Sequence, residues 1–367
     1  MTLSRFTSDS LRIAIIAPTG RSGGERYSRL LSEALEAELL PASLSILRLW
    51  SRILRGGYDI VDVQFEYKTF GSHLRSLIAL PLLAALLRQP TVAVMTLHGV
   101  IEHDSLRGER LGQVKWFGYL VSMRLALTLF RLTIVHSERM RGSLLRYGSS
   151  RALVVPHASG TVDCANRDGL KKEILFFGFI RPSKGISNLI AGFNDLRKAR
   201  PGVRLTIAGS IRSEQEAAYL SSLRRKVANH GLTDSIDFKI GYVSEATKQA
   251  LAKSASILVL PYTDRFVEVS GVAHDLAGSG IALVCSDTPR FSEFRDKIEC
   301  LKVRPSPEAI AEALEQLLTD SERAHSLSRN LANFARATSW ERVREVRLQI
   351  YNELLTSSKL QRPPTAF

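Results

Sequence analysis

The sequence predicts an α/β protein made of two Rossmann-like domains, each with a parallel sheet, facing each other across a cleft. Short apolar runs rich in β-branched residues alternate with helical patterns, and this alternating series occurs twice along the chain. A polar, glycine-containing stretch without periodicity, residues 160–172, separates the two series and is the expected linker. At 367 residues the chain also exceeds the size at which a single hydrophobic core keeps growing.

The domain boundaries follow from this pattern. We place the first domain at residues 1–165 and the second at residues 166–338. Residues 339–356 have the pattern of a terminal helix, and residues 357–367 are expected to be a disordered tail.

The composition is that of a globular protein, with 45% apolar and 23% charged residues. Three scattered cysteines, Cys164, Cys285 and Cys300, are too few for a disulfide framework or a metal site. The first apolar run, Ile13–Ala17, is too short for a signal peptide. We therefore expect a cytoplasmic protein.

The net charge of +14 is spread over both halves of the chain and forms no basic arm or tail. No RNP, zinc-knuckle or helix-turn-helix signature accompanies it, so we expect no nucleic-acid partner. An anionic substrate or an anionic membrane surface would also account for the charge.

The first domain begins with a strand, a glycine-rich turn and a helix. The run Leu11–Pro18 is a predicted buried parallel strand. Gly20, Gly23 and Gly24 then precede a long helical pattern, as in Rossmann-like folds, although the full GxGxxG form is missing. The alternative is a flexible surface turn.

Polar side chains follow two further strands of the first domain. Gln64 and Glu66 end the predicted strand 58–66, and His98 follows the strand Val92–Leu97, with His103 shortly after. Ligands of parallel sheets bind at the carboxyl ends of the strands, so these residues are candidates for a site. Glu66 could instead only cap the next helix, and His98 could be a structural histidine.

Two apolar segments of the first domain raise the question of a membrane. Residues 76–87 are too short to span a bilayer and contain Pro81. Residues 116–135 are long enough but carry Arg124 and Arg131 on one helical face, which argues against a spanning helix. This helix either lies in a membrane interface or is an ordinary Rossmann helix with one solvated face.

The second domain begins with a basic loop. The strand Ile174–Phe177 leads into the loop GFIRPSKG, which carries Arg181 and Lys184 at the carboxyl edge of the sheet. Arginine can donate to two phosphate oxygens while lysine acts as a point charge, so this loop suits a nucleoside diphosphate. A solvated basic turn is the alternative.

The stretch Pro261–Phe294 is a predicted βαβ unit with a turn that opens a helix. The turn Val269–Gly271 can direct backbone N–H groups toward an anion. Asp275, one helical turn further on, can accept hydrogen bonds from a sugar diol. An ordinary crossover with one solvated acid is the alternative reading.

Together these residues resemble the retaining GT4 glycosyltransferases, which are GT-B enzymes. The order of acid, glycine and acid before a helix, followed by a strand and a TP turn, is similar to that family's signature. The family usually has two Glu separated by seven residues; the second position corresponds to Asp275, whereas Val267 occupies the first, with Glu268 beside it. The strings QFEYKTFG, TLH and IRPSKG also resemble family motifs.

The resemblance implies roles for the candidate residues. The catalytic candidates are His98, Arg181, Lys184 and Glu268. The donor-binding candidates are Gly23, Gly24, Arg181, Lys184, Tyr242, Val243, Ser270, Gly271, Val272 and Asp275. The acceptor-binding candidates are Gln64, Glu66, His98 and His103. The terminal helix would cross back onto the first domain. No DxD triplet occurs in the chain, so no metal and no other cofactor is expected.

The implied activity is transfer of a hexose from a UDP- or GDP-sugar to a glycan or lipid-linked acceptor, with retention of configuration. Synthesis of a bacterial surface polysaccharide or glycolipid at the inner face of the plasma membrane would fit, with peripheral contact to anionic lipid. Two alternatives stay open: a GT-B-like sugar-nucleotide epimerase or phosphorylase, and a non-catalytic binding protein of the same fold.

Overall fold

The computed structural model of the protein describes residues 11–20, 22–87, 91–103, 112–148, 151–160 and 172–360. Most of the predicted linker (residues 161–171, with Cys164) and the end of the predicted tail (residues 361–367) lie outside the described residues.

The described chain consists of alternating strands and helices. The strands are β1 (Ile13–Ala17), β2 (Glu38–Pro41), β3 (Ile60–Phe65), β4 (Val92–Leu97), β5 (Gly99–Val100), β6 (Leu132–Val135), β7 (Ala152–Val154), β8 (Glu173–Phe177), β9 (Arg204–Gly209), β10 (Ile236–Ile240), β11 (Ile257–Leu260), β12 (Val267–Glu268), β13 (Ala282–Ser286) and β14 (Leu301–Val303). The α-helices are α1 (Gly23–Leu35), α2 (Ile46–Gly56), α3 (His73–Leu86), α4 (Gly112–Leu129), α5 (Glu138–Leu145), α6 (Ile186–Ala199), α7 (Glu214–Asn229), α8 (Glu245–Ser254), α9 (Gly271–Ala277), α10 (Pro307–Thr319), α11 (Ser321–Ala337) and α12 (Trp340–Leu360).

The chain divides into two compact units. The first comprises Met1–His157, Phe266–Val269 and Trp340–Phe367, and the second Ala158–Arg265 and Ser270–Ser339. The segment Phe266–Val269 differs from the sequence-based boundaries, which assign it to the second domain.

The segment belongs to the first unit because its strand and its apolar side chains do. β12 pairs antiparallel with β5, with Val267 opposite Val100 and Glu268 opposite Gly99. Val267 and Val269 are buried in the core of the first unit.

The first unit contains a six-stranded parallel sheet in the order β2-β1-β3-β4-β6-β7. Every residue of β1, β3 and β4 is buried, as expected for central strands of a parallel sheet covered on both faces. The strand order reverses between β1 and β3, so the switch point lies at the carboxyl ends of these two strands. Ligands of doubly wound sheets bind at such a point.

The second unit contains a second parallel sheet in the order β10-β9-β8-β11-β13-β14. Counted within the unit, this is the Rossmann order 3-2-1-4-5-6, with its switch point between β8 and β11. The helices around it bury Ile190, Phe193, Leu314 and Leu331 in one hydrophobic core. The predicted α/β class with two parallel sheets is confirmed.

The terminal helix α12 is anchored to the first unit by a buried ion pair. Arg347 Nη1 lies 2.6 Å from Asp62 Oδ2 in the middle of β3, and neither side chain is exposed. The hydroxyl of Tyr351 donates to the same carboxylate at 2.7 Å, and that of Thr96 donates to Asp62 Oδ1 at 2.8 Å. A carboxylate inside a strand core is costly unless it is paired in this way.

No helix within the described ranges combines the length and the apolar character that crossing a membrane requires.

Candidate active site

The loops at the switch point of the second unit bring together a cluster of charged side chains. Arg181 and Lys184 come from the loop after β8, and Asp264 from the loop after β11. A short 3-10 turn, Pro182–Lys184, presents Lys184 and ends at Gly185 with φ +68°. A Cβ on Gly185 would lie 1.8 Å from the carbonyl oxygen of Pro261, so only glycine lets these two loops meet.

Lys184 is the central residue of this cluster. Its side chain is buried, and its Nζ lies 3.5 Å from the centre of the Tyr262 ring. Burial lowers the pKa of Lys184 well below its ordinary value, and the charges of Arg290 and Arg181 lower it further. The ammonium form is therefore held at a cost that a bound anion would remove.

Arg290 and Asp264 complete the cluster, and sequence reasoning missed both. The guanidinium of Arg290 donates from Nη2 at 2.7 Å and from Nε at 3.1 Å to Oδ1 of Asp264, and both side chains are largely buried. It also lies 5.5 Å from the Tyr262 ring. The sequence contains a usable signal for Arg290, because this residue stands in the TPR turn after β13. β13 lies next to β11 in the sheet, and the β11 loop carries Asp264.

The cluster has an excess of positive charge. Within the described ranges, the cationic side chains of Arg181, Lys184 and Arg290 act on one another, and the carboxylate of Asp264 lies among them, paired with Arg290. The Nε of Arg181 is buried and has no hydrogen-bond partner among the described residues. A buried donor without a partner in an electropositive loop indicates a site for an anion.

The predicted turn before α9 joins this cluster through Tyr262. The Ser270 side chain hydrogen-bonds the Tyr262 hydroxyl and caps α9 by accepting from the N–H of Ala273 at 3.4 Å. Val272 lies close to the β8 loop, because a Cβ on Gly178 would be 3.9 Å from its Cγ2. Ser270, Gly271 and Val272 therefore lie near the switch point with Lys184.

Asp275 has a partner that the sequence did not reveal. Its Oδ2 lies 3.2 Å from Nζ of Lys248 on α8, whose own side chain is buried. The sugar-binding role predicted for Asp275 remains a prediction, and Lys248 would orient the carboxylate for it.

Tyr242 and Val243 follow β10, at the carboxyl edge of the same sheet but two strands away from β8. Tyr242 is 85% exposed, whereas Val243 packs partly against the core. An exposed aromatic ring at this edge is compatible with the predicted contact to a nucleotide base.

Behind α9 lies a buried chain of polar groups. His274 Nε2 is 3.2 Å from Glu293 Oε1, and its Nδ1 is 2.9 Å from Ser159 Oγ. Burial raises the pKa of Glu293 to about 8 and lowers that of His274 to about 3. At neutral pH a protonated Glu293 thus donates to His274, which donates from Nδ1 to Ser159. This chain fixes the helix that carries Asp275.

We predict that Glu293→Gln removes part of the pH dependence of stability. Because the folded state keeps a proton that the unfolded state releases above about pH 4.5, the contribution of Glu293 is complete below that pH. It is lost as the pH rises to about 8, by about 1.4 kcal/mol per pH unit. The contribution of His274 has the opposite sign and is constant above about pH 6.5. Thermal melts at pH 6.5 and 8.5 would measure the difference.

The glutamine amide can donate to His274 as the protonated carboxyl does, so parent and variant should be equally stable only below about pH 4.5. At pH 6.5 the variant should already melt at the higher temperature, and the difference should be larger at pH 8.5. Glu312→Gln, at an exposed position of α10, is the matched control and should follow the parent at both pH values. Equal pH dependence in the Glu293 variant and the parent would show that the carboxyl is already ionised in the folded state.

In the first unit, Gly24 and Glu66 meet at the switch point between β1 and β3. A Cβ on Gly24 would lie 2.1 Å from Oε1 of Glu66, so the carboxylate occupies the space that a side chain would take. Gly23 next to it faces open space. The structure thus brings three of the predicted residues of the first unit together, at the start of α1.

His98 is part of a buried hydrogen-bonded chain. Its Nε2 lies 3.0 Å from Oε1 of Gln64, and its Nδ1 lies 3.3 Å from Nε2 of His136. His136 Nδ1 lies 3.1 Å from the carbonyl oxygen of Val155. Burial lowers the pKa of His98 to about 3 and that of His136 well below its ordinary value, so both imidazoles are neutral.

Neutral imidazoles fix the direction of every hydrogen bond in this chain. His136 must donate from Nδ1 to Val155, so it accepts from His98 Nδ1, and His98 Nε2 must then accept as well. Gln64 therefore presents its NH2 group to His98, with the amide oxygen and nitrogen exchanged. The amide nitrogen, which otherwise is buried without a partner among the described residues, then has one.

The aromatic neighbours of His98 were missed by sequence reasoning. Tyr27 packs against the rings of His98, His136 and His157 with centroid distances of 5.2, 5.4 and 4.4 Å. His136 follows β6 directly and His157 is the third residue after β7, so their positions after strands were a usable signal. His103, in contrast, lies against Trp116 of α4, with the ring centroids 5.6 Å apart.

Glu268 lies in the first unit, beside the residue that follows His98. Its backbone pairs with Gly99, and a Cβ on Gly99 would be 3.3 Å from its Oε2. Asp275 belongs to the second unit. The resemblance aligned the two acids with one family signature, but they belong to different units, because the chain changes units after Val269.

Residues 165–334 match the model of the family described as glycosyl transferases group 1. This part of the chain is similar to group 1 glycosyltransferases. The resemblance inferred from the sequence is confirmed at this level, and the cationic cluster lies within the matched residues.

Two curated relatives are similar over part of the chain. The mannosylfructose-phosphate synthase of Agrobacterium fabrum is 31% identical over 115 residues, which are 31% of this chain and 25% of that protein. The D-inositol 3-phosphate glycosyltransferase of Paenarthrobacter aurescens is 26% identical over 189 residues, 50% of this chain and 44% of that protein. The similarity therefore spans less than half the length of either relative.

Solved structures match over nearly the whole chain. The sucrose-phosphate synthase of Thermosynechococcus elongatus has a TM-score of 0.74 at 17% identity, covering 95% of this chain and 100% of its own. HepE of Anabaena, solved with UDP, has a TM-score of 0.72 at 13% identity, and the match covers 94% of this chain and 100% of the HepE chain. These neighbours confirm the predicted GT-B fold.

Within the described ranges, no group of three or more His, Cys, Asp or Glu side chains is arranged to hold a metal ion.

Proposed function

We propose that this protein is a retaining glycosyltransferase that takes a hexose from a UDP- or GDP-sugar and transfers it to a glycan or lipid-linked acceptor. The observation that carries the proposal is the cluster of Arg181, Lys184 and Arg290 at the switch point of the second sheet. It is cationic and largely buried, and within the described ranges the carboxylate of Asp264 pairs with Arg290.

A nucleoside diphosphate fits the charge and the chemistry of this cluster. The donor's diphosphate would neutralise the excess positive charge and supply an acceptor for the buried Nε of Arg181. As the bond to the sugar breaks, negative charge grows on the departing phosphate, and preorganised cations stabilise this charge without reorganisation. Fixed side chains would thus stabilise the departing phosphate, as a divalent cation does in metal-dependent enzymes. We therefore propose a reaction that needs no metal.

The solved neighbours support a nucleotide-sugar donor. HepE has been solved with UDP and with UDP-glucose, and the E. coli trehalose-6-phosphate enzyme with UDP-2-fluoro glucose. The curated relatives include a mannosylfructose-phosphate synthase and an inositol-phosphate glycosyltransferase. The donor side of the proposal therefore has more support than the acceptor side.

The state of His98 supports same-face attack. An imidazole whose pKa is lowered to about 3 is a weak base, so His98 is unsuited to take the proton of the acceptor hydroxyl. The departing phosphate would accept this proton on the same face of the sugar, which retains the configuration. His98, held by Gln64 and His136, would then serve to position a sugar hydroxyl.

We place the reaction in surface polysaccharide or glycolipid synthesis at the inner face of the plasma membrane. Basic and apolar helices in the first unit and the small number of scattered cysteines favour this setting.

The test combines binding and product analysis. Thermal melts with UDP, GDP, UDP-sugars and GDP-mannose should show stabilisation by one nucleotide class, about 2.7 kcal/mol at a concentration of a hundred times Kd. NMR of the product formed with an oligosaccharide acceptor should show an α-linkage from an α-linked donor. An inverted product would exclude the mechanism, and epimerisation or phosphorolysis without an acceptor would exclude transfer. Nucleotide binding without any turnover would indicate a non-catalytic protein.

A further inference from the structure

Three neighbouring helices of the first unit carry no acidic residue. α3 packs against both α2 and α4, and none of the three contains Asp or Glu. Their six Lys and Arg residues are Arg48, Arg52, Arg55, Arg75, Lys115 and Arg124. We call the outer surface of these helices the basic apolar face.

Helix α3 exposes an apolar stripe on this face. Leu74, Ile78 and Leu82 follow one another at four-residue steps and are 69%, 60% and 49% exposed. Such spacing places them on one side of the helix, opposite the buried Leu80 and Leu83. An ordinary Rossmann helix would carry polar residues at these positions.

Helix α4 exposes a second stripe beside the first. Val114, Phe117, Val121 and Leu125 are each at least 49% exposed and recur at helical spacing. The helices are in contact, because Ser122 Oγ donates to the carbonyl of Leu77. The two stripes therefore lie on adjoining helices and expose large aliphatic and aromatic groups to water.

Helix α2 adds a basic groove. The groove has a volume of about 460 Å³. It is lined by Leu44, Leu47, Arg48, Ser51, Arg52 and Arg55. Arg52 is paired with Glu38 at 3.1 Å. The guanidinium groups of Arg48 and Arg55 over the apolar lining suit a phosphate group attached to a hydrocarbon chain.

We propose that the basic apolar face binds the surface of an anionic lipid bilayer. Such a surface offers hydrocarbon for the stripes of α3 and α4 and negative charge for the surrounding arginines. A second copy of this face is a poorer partner, because a two-fold contact would bring cations against cations with no carboxylate on the three helices to pair them. The helices would lie in the interface rather than cross the bilayer.

The first experiment is co-sedimentation with vesicles. The parent protein should bind vesicles of phosphatidylcholine mixed with phosphatidylglycerol, bind pure phosphatidylcholine at least about tenfold more weakly, and be released by high salt. Ile78→Glu combined with Phe117→Glu should weaken binding to the mixed vesicles by about tenfold or more. Val346→Glu, at a 41% exposed position of α12, is the control and should bind like the parent.

The second experiment removes charge alone. Arg48→Gln with Arg124→Gln should weaken binding by about tenfold, because each basic residue near an anionic surface contributes independently. Arg225→Gln with Arg329→Gln removes the same charge from exposed positions of the second unit and should have no effect. All of these positions are on the surface, so melting temperatures should stay at the parent value.

Three results would overturn the proposal: no binding to mixed vesicles, equal binding to neutral vesicles, or self-association in sedimentation velocity that Phe117→Glu abolishes. The last would assign the face to a second copy of the chain. Vesicle binding does not depend on turnover, so this inference and the proposed transferase activity can fail separately.

Discussion

Replacing Lys184 by methionine is expected to reduce sugar transfer by about a hundred- to a thousand-fold while the melting temperature stays unchanged or rises. Methionine keeps the length and packing of the side chain against Tyr262 but carries no charge. Without an anion, burial and the neighbouring Arg290 and Arg181 disfavour the ammonium. Removing the ammonium should therefore leave the folded state equally stable or more stable. With the donor bound, the same ammonium would stabilise the negative charge that develops on the departing phosphate.

The measurement is the initial rate of transfer, with thermal melts recorded in the presence and absence of the nucleotide. The variant should lose most of the nucleotide-induced stabilisation that the parent shows. Lys198→Met, on the exposed surface of α6 beside Asp195, is the matched control and should keep both rate and stabilisation. A Lys184 variant that transfers at the parent rate would remove the cluster from the mechanism, and a large drop in melting temperature would assign Lys184 a structural role.

Only part of the cationic cluster could be predicted from the sequence. Arg181 and Lys184 were predicted because a loop after an apolar strand in a parallel sheet has a known position, at the carboxyl edge. Arg290 and Asp264 lie in loops after other strands, and their pairing depends on how these loops fold over Tyr262. Strand ends can be read from local patterns, whereas contacts between loops cannot.

The assignment of Glu268 to the first unit could not be predicted from the sequence for another reason. β12 is only two residues long, too short for any periodic pattern, and it pairs with an equally short β5. What assigns it to the first unit is the burial of Val267 and Val269 there, a tertiary effect. The motif spacing that predicted a joint role for Glu268 and Asp275 is a relation in sequence, and the chain changes units between them.

Asp62 is a residue whose partner the sequence could not name. A carboxylate inside the buried run of β3 predicts a buried partner, since an isolated charge there would be too costly. The partner, Arg347, is far away in sequence on α12, in a helix with many other charged residues. Only the packing of α12 on the first unit distinguishes it from those residues.

Replacing Arg347 by methionine should therefore cost about 3–5 kcal/mol of the stability of the first unit, because it leaves the Asp62 carboxylate buried without its cation. Tyr351 and Thr96 would still donate to the carboxylate but cannot neutralise it. α12 should loosen first, since Arg347 and Tyr351 attach it to the sheet. Denaturant unfolding followed by tryptophan fluorescence would report this, because Trp340 at the start of α12 packs 5.2 Å from Tyr27.

The double variant Asp62→Asn with Arg347→Met separates a lost charge balance from lost packing. It removes both charges and should recover most of the stability, because Nε and Nη2 of Arg347 are buried without hydrogen-bond partners among the described residues and add to the cost of the pair. Arg342→Met, which breaks an exposed pair with Glu345 on the same helix, should cost at most about 1 kcal/mol. If the Arg347 variant is no less stable than the Arg342 variant, or if the double variant is no more stable than Arg347→Met alone, the ion pair does not anchor α12.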